Sequence, residues 1–352
     1  MSFWRGRRVF LTGHTGFKGS WMALLLCELG ADVTGYALAP ETRPSAYELL
    51  RIGERVREEI GDIRDGERLG RAVAAARPQM IVHMAAQPLV RRSFHEPIDT
   101  LTTNVLGTAL LLEAIRKTPS VESVVVVTSD KVYANKEPRA MRENDPLGGD
   151  DPYSASKGCA EIVTASYRAS YFGDGVHLAT ARAGNVIGGG DWSEDRLIPD
   201  LVRAATSGKP AVLRYPAAVR PWQHVADVVA GYALLAQRLS ADRALARAWN
   251  FGPAAGANVS VGMLAERFLA RYDSACRLEL EAPAFTEKTF LALDSSAARA
   301  ELEWTPHFDF EAAVAATADW YAAWRGGDDL RALTRAQLSL PCAQNRVALA
   351  SR

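Results

Sequence analysis

Four consecutive valines, Val124-Val125-Val126-Val127, predict a strand buried on both faces of a parallel sheet. Similar short apolar runs recur at Arg8-Val9-Phe10-Leu11-Thr12, Asp32-Val33-Thr34-Gly35-Tyr36, Met80-Ile81-Val82-His83 and His177-Leu178-Ala179-Thr180-Ala181-Arg182. Helical stretches separate them. Trp21-Met22-Ala23-Leu24-Leu25-Leu26 is one, a second runs to about Arg77, and a third covers residues 105–117, apolar on much of its circumference. A fourth starts at Asp151-Pro152, a carboxylate cap before a ring with φ preset, and continues to about Tyr171. Alternation of strand and helix up to residue 182 predicts an α/β chain with a doubly wound parallel sheet.

After Arg182 the pattern changes. Residues 183–192 are too glycine-rich for a regular element and read as a long functional loop. Leu197-Ile198-Pro199 opens a helix, Val212-Leu213-Arg214-Tyr215 is a short strand, and Asn250-Phe251-Gly252-Pro253 ends another. The expected division is residues 1–182 as a dinucleotide-binding domain with returning segments near 217–254. Residues 183–216 and 255–341 then form a smaller mixed α/β C-terminal substrate lobe, and 342–352 a tail without strong pattern.

A length of 352 residues suits two lobes. Lys plus Arg and Asp plus Glu are 41 each, so nothing favours bulk attraction to nucleic acid or a membrane surface. No segment is expected to span a bilayer. Cys27, Cys159, Cys276 and Cys342 are scattered with no Cys-x-x-Cys, which predicts reduced thiols and a cytoplasmic setting. The six histidines lack ligand spacing, so no structural metal is expected. The basic N-terminus leads into an apolar run too short for a signal peptide.

Candidate chemistry begins at Gly13-His14-Thr15-Gly16-Phe17-Lys18-Gly19, between a strand and a helix. That context gives the glycine spacing weight: a tight turn lets the helix amides approach a pyrophosphate. The end of the second strand lacks the acid that would grip an NAD ribose, and Arg43 lies near enough in sequence to meet a 2′-phosphate, so NAD is expected with NADP left open. Asp62 and Ile63 would flank the adenine, and Ala85-Ala86-Gln87 are small enough in part for a flat cofactor to lie close. His83 reads as a packed, hydrogen-bonded histidine.

Tyr153 and Lys157 are four residues apart and share a helix face. An ammonium beside a phenol stabilises the phenolate, so this tyrosine could take a proton from a sugar hydroxyl. The valine strand delivers Thr128, Ser129, Asp130 and Lys131 at its carboxyl end, where ligands of such sheets gather. Arg220 beside Trp222 suits a diphosphate or a base, or else a solvated loop.

Together, Gly13-x-x-Gly16-x-x-Gly19 and Tyr153-x-x-x-Lys157 resemble the extended short-chain dehydrogenase/reductases acting on nucleotide sugars, over about residues 4–324. Ser129-Asp130-Lys131 resembles the 4,6-dehydratase branch acting on CDP-glucose, as do Asn135-Lys136-Glu137, Gly188-Gly189-Gly190-Asp191-Trp192 and Arg220-Pro221-Trp222-Gln223-His224, with Ala134 a departure. The resemblance implies a Rossmann-type fold, CDP-glucose as substrate, a recycled nicotinamide cofactor and a homodimer or homotetramer. It implies catalytic roles for Ser129, Asp130, Lys131, Tyr153 and Lys157. Cofactor contacts would come from Gly13, Thr15, Gly16, Phe17, Lys18, Gly19, Asp62, Ile63, Ala85, Ala86, Gln87, Asn104, Tyr153 and Lys157. Substrate contacts would come from Gln87, Ser129, Asn185, Leu197, Arg214 and Arg220. Tyr153 would deprotonate the C4 hydroxyl as C4 is oxidised, Lys131 would remove the C5 proton, and Asp130 would protonate the departing C6 hydroxyl. An ion pair between Lys131 and Asp130 would oppose both of the latter roles. Two other readings compete. A 4-epimerase needs no acid–base pair for C6, and a cofactor-sensing, non-catalytic member needs none of Ser129, Tyr153 and Lys157.

Overall fold

The computed structural model describes residues 3–134, 137–173, 175–253, 256–281 and 289–347. Asn135 and Lys136, and positions 348–352 of the expected tail, lie outside the described residues. Seven strands form the large sheet: β1 (Arg8–Thr12), β2 (Asp32–Ala37), β3 (Arg57–Ile60), β4 (Met80–His83), β5 (Ser123–Val127), β6 (His177–Ala183) and β7 (Ala248–Phe251). Their order is β7-β6-β5-β4-β1-β2-β3, every pair parallel. The order reverses between β1 and β4, so a crevice opens beyond their carboxyl ends.

The apolar runs explain the layering. On one face Phe10, Ile81, Val124, Val126 and Leu178 meet helices α2 (Gly66–Ala76), α3 (Gly107–Arg116) and α4 (Pro152–Ser170). On the other, Val9, Leu11, Val82, Val125 and Val127 join a core with α1 (Phe17–Glu28). Alternate residues of one strand thus serve opposite cores, each fully buried aliphatic side chain contributing roughly 1.5–3 kcal/mol. Asp65 caps α2 through Arg68 N at 3.0 Å, and Asp151 caps α4 through Ser154 N at 2.8 Å.

Several expectations change. The helix expected from Asn104 begins earlier. Pro97–Leu101 runs into a π turn, Thr102–Leu106, and then α3. By length and composition the 20-residue span Pro97–Arg116, mean hydropathy 1.2, could cross a membrane, contrary to the sequence reading, but 44% of its apolar window is buried within the protein. That burial fits a core helix packed against α2 and α4. The stretch 183–192 is not wholly irregular, because Val186–Ile187 pairs in parallel with Gln223–His224. The strand expected at 212–215 is Ala211–Leu213, leaving Arg214 and Tyr215 beyond it.

Two further helices escape the sequence pattern. Helix α5 (Leu197–Ser207) is the expected one, but α6 (Val225–Ala241) is not. Thirteen of its 17 residues are buried, so it shows no polar face to set a period. The last helix, α7 (Leu330–Gln344), runs through the boundary expected at residue 342. Cys342 and Val347 are each 1% exposed, packed in the core with α1 and α6.

Candidate active site

Two cavities meet beyond the carboxyl ends of the strands. The first, about 440 Å³, is lined by the loop 13–19, the end of β2, Asp62, Ile63, Ala85, Ala86, Tyr153 and Lys157. Thr12 ties its two sides together: its hydroxyl oxygen accepts from Met84 N (3.0 Å) and Ala85 N (3.1 Å) and bonds His83 Nδ1 at 2.7 Å. His83 also bonds Thr108 at 3.0 Å, and burial holds its pKa down to about 3, so it is the neutral, packed histidine expected.

The glycines of the loop have different reasons. Gly13 has φ +77° and a Cβ there would lie 2.7 Å from Ala85 N, while a Cβ on Gly19 would overlap Gly13 O. Both are required by the protein's own packing. A Cβ on Gly16 would meet nothing closer than Gly13 O at 3.5 Å, so Gly16 leaves open space at the N-terminus of α1. A cradle that one methyl would fill, at the positive end of a helix, fits the pyrophosphate of a nicotinamide dinucleotide.

The second strand's end bears on the choice of dinucleotide. No carboxylate follows β2 directly. Thr15 donates to Leu38 O at 2.8 Å, and Glu41, which lines the cavity, pairs with Arg92. Arg43 does not line the cavity. Its side chain is 88% exposed and pairs with Glu48 at 3.5 Å, so the residue expected to meet a 2′-phosphate faces solvent. Asp62 is held by Arg64, whose guanidinium keeps its carboxyl below the usual range.

Gln87 and Asn104 are placed differently from expectation. Gln87 lines the first cavity and not the second, so the expected substrate contact is not made there: its amide donates to Leu89 O (3.1 Å) and Thr100 Oγ1 (2.8 Å), and its Oε1 accepts from Leu89 N (2.6 Å). The side chain braces its own loop at the wall of the first cavity. Asn104 does not line either cavity. From the π turn it accepts from Gln87 N (2.8 Å) and donates to Gln87 O (3.1 Å) and Ser156 Oγ (2.8 Å). It anchors the cofactor loop to α4 and touches no ligand space.

The second cavity, about 260 Å³, is lined by Ser129, Asp130, Lys131, Tyr153, Asn185, Leu197, Arg214 and Arg220. Arg220 lies in the short strand Val219–Pro221 and is buried, so the solvated-loop alternative fails. Arg214 pairs with Glu281 at 2.9 Å. Asn185 Oδ1 is buried and, among the described residues, has no hydrogen-bond partner.

Tyr153 lines both cavities, and Ser129 and Asp130 line the second with it. Ser129 donates to Asp130 Oδ1 at 3.0 Å and accepts from Lys131 N at 3.3 Å, which shapes the turn Asp130–Val132. Lys131 Nζ lies 3.8 Å from Asp130 Oδ1. Tyr153 N donates to Ser93 Oγ at 3.1 Å, fixing the start of α4. Burial pushes the Tyr153 phenol up, opposed by the Ser129 hydroxyl and the Arg196 charge. The expected depression by Lys157 is overridden, since burial lowers Lys157 itself to about 7 and its Nζ donates to Val127 O at 3.2 Å.

Arg196 and Asp191 were not singled out as site residues by sequence reasoning, yet both line both cavities. Arg196 approaches Asp191 Oδ2 at 3.6 Å and Pro88 O at 3.4 Å. The sequence signals were the Gly188-Gly189-Gly190-Asp191-Trp192 motif for Asp191 and, for Arg196, its position just before the apolar start of α5. Trp21 Nε1 donates to Gly189 O at 2.9 Å, and a Cβ on Gly189 would overlap the Trp320 ring, which pins the loop that carries Asp191.

The family model described as GDP-mannose 4,6 dehydratase matches residues 10–317. The chain is 44% identical to a CDP-glucose 4,6-dehydratase of Salmonella typhimurium, over 96% of this chain and 97% of that one. It is 32% identical to a dTDP-glucose 4,6-dehydratase of Streptomyces griseus, over 89% and 93%. Among solved structures, a dTDP-glucose 4,6-dehydratase of Streptomyces venezuelae with NAD and TYD bound superposes with a TM-score of 0.77 at 27% identity, covering 91% of this chain and 98% of that one.

Proposed function

The chain belongs to the GDP-mannose 4,6 dehydratase family of nucleotide-sugar enzymes, and from that premise we propose that it is a hydro-lyase converting CDP-glucose to CDP-4-keto-6-deoxyglucose. The observation that carries the reading is that Ser129, Asp130 and Lys131 line the second cavity together with Tyr153, which also lines the first. NAD is the cofactor, held by the loop 13–19, Asp62, Ile63, Ala85 and Ala86, in line with the bound NAD of the Streptomyces venezuelae structure. When bound, it supplies the hydride acceptor for C4 and the hydride donor for C6.

The chain's own residues move the protons. Tyr153 takes the C4 hydroxyl proton while Ser129 hydrogen-bonds the C4 oxygen. Lys157, on the same helix face, supplies the positive charge that the phenolate needs when protonated. The 4-keto group acidifies C5–H. Neutral Lys131 accepts that proton, and protonated Asp130 gives its own to the departing C6 oxygen, so water leaves. The pair ends as ammonium and carboxylate. As C6 is reduced, C5 takes a proton back from the Lys131 ammonium, which stands 3.8 Å from Asp130, and the proton that Tyr153 holds from the C4 hydroxyl replaces, through solvent, the one Asp130 gave to water, so every group returns to its starting form. The ion pair is therefore the spent form of the acid–base pair.

The nucleotide end of the substrate lies along Asn185, Leu197, Arg214 and Arg220, where Arg220 suits the diphosphate. A homodimer is supported by the apolar side chains left on the outer faces of the 97–116 helix and α4: Ile98 is 70% exposed, Leu106 49% and Ile162 59%. The four free thiols support a reducing, cytoplasmic setting. The test is incubation with CDP-glucose and the mass of the product. Loss of one water supports the dehydratase. An unchanged mass with altered stereochemistry indicates the epimerase, and no change rejects both.

A further inference from the structure

The turn that carries Ser129, Asp130 and Lys131 lies between two buried hydroxyl residues, Thr128 before it and Tyr133 after it. Each is tied to a different partner of one ion pair behind the cavities. Thr128 Oγ1 donates to Glu161 Oε1 at 2.5 Å. The Tyr133 hydroxyl accepts from Arg182 Nη1 at 2.8 Å and donates to Asn250 Oδ1 at 2.6 Å. Glu161 and Arg182 are each 4% exposed in their side chains. Arg182 Nε and Nη2 reach the two carboxylate oxygens at 2.9 and 2.8 Å, and the Thr180 hydroxyl donates to one of them at 2.8 Å. Neither member of the pair lines a cavity. Glu161 stands on α4, the helix of Tyr153 and Lys157, and Arg182 on β6.

Burying two charges is costly, and an apolar pair of similar volume is often at least as stable. What a forked guanidinium on a carboxylate adds is a fixed plane with set directions for further hydrogen bonds. Here those directions are taken by the residues at the two ends of the turn. The sheet holds the chain as far as Thr128, whose N donates to Ala181 O at 2.9 Å. Beyond it the turn is held by Gly148 N on Val132 O at 2.8 Å and by the Tyr133 hydroxyl. We propose that Glu161 and Arg182 are positioning residues for the elimination step, holding Asp130 and Lys131 in register with Tyr153 through Thr128 and Tyr133. The inference rests on the proposed function and adds to it a clamp behind the cavities. The C4 step needs Tyr153, whose helix start is fixed separately by Ser93. The clamp therefore acts on the second proton transfer more than on the first.

The test is single-turnover mixing of the full-length chain, loaded with NAD, with CDP-glucose. Reduced nicotinamide is read by absorbance, and loss of water and C5 exchange by mass. Tyr133→Phe keeps the ring beside the Arg182 guanidinium and loses one hydroxyl. Thr128→Val keeps the shape of the side chain and loses the other. Both should slow water loss and C5 exchange by roughly 10- to 100-fold, while cofactor reduction stays close to the wild-type rate and reduced cofactor accumulates. Thr128→Ser keeps the hydroxyl and gives up a methyl, and should eliminate nearly as fast as wild type. Thermal unfolding of the same samples confirms that each is folded. Folded Tyr133→Phe and Thr128→Val that eliminate at the wild-type rate overturn the proposal, as does equal slowing of both steps. A Thr128→Ser slower than Thr128→Val also overturns it, by marking a packing role. If wild type releases no water from CDP-glucose, the proposed function itself fails and takes this inference with it.

Discussion

Lys131 Nζ stands 3.8 Å from Asp130 Oδ1, and among the described residues the other oxygen of that buried carboxyl has no partner. The two side chains are close enough to hold one proton between them through the elimination. Replacing Lys131 with Met removes the C5 base and leaves Tyr153 and Ser129 in place. Turnover should fall by about 10²- to 10⁴-fold, while bound cofactor is still reduced on mixing with substrate. Exchange of the C5 proton into deuterated water should stop. Normal exchange in this variant would remove Lys131 from the role.

Tyr153→Phe removes the acceptor for the C4 hydroxyl proton and keeps the ring that packs the wall. Cofactor reduction on mixing should be lost together with product formation. A variant that still reduces bound cofactor at the wild-type rate would assign the proton to another group.

Lys157 gives a pH dependence of stability with a definite sign. Burial lowers its pKa from 10.5 to about 7, so between those values the unfolded chain holds a proton that the folded chain lacks. Stability therefore rises with pH across that window by this group's contribution. Lys157→Met should show a flatter rise of Tm from pH 7 to 10 than wild type, measured without added nucleotide. Identical slopes would contradict a neutral buried amine.

Asn104 distinguishes a brace from a ligand. Asn104→Ala leaves Gln87 N, Gln87 O and Ser156 Oγ short of partners in a buried place. A total loss of about 1–3 kcal/mol in unfolding free energy is expected, since Ser156 Oγ keeps its bond to Tyr153 O. Thermal unfolding should show it with and without NAD alike. A variant of wild-type stability with selectively weakened NAD binding would restore Asn104 to the cofactor contacts.

The parts of this fold that were legible in the sequence share one property: their pattern is local. Val124 to Val127 announce a doubly buried strand, Asp151-Pro152 announces a helix start, and the glycine loop lies between a strand and a helix. Helix α6 was not legible because nearly every residue from Val225 to Ala236 is buried, and a helix without a wet face has no period to read. The engagement of Gln87 by Thr100, and of Asn104 by Ser156, depends on contacts across 13 and 52 residues of chain. Local spacing carries no trace of either. Arg43 looked available for a phosphate by sequence distance alone, yet the chain after β2 turns it to solvent. Lys157 was expected to act first on Tyr153, but burial of both groups dominates their protonation.

The central claim is that one hydrogen leaves C4 of the hexose and returns to C6 of the same molecule. CDP-glucose carrying deuterium at C4 tests it, with the product read by mass and by the proton spectrum of its methyl group. The account predicts one deuterium per product molecule, in the C6 methyl, with none released to solvent or to added free NAD. Product without the label, or label accumulating in free cofactor, would contradict it.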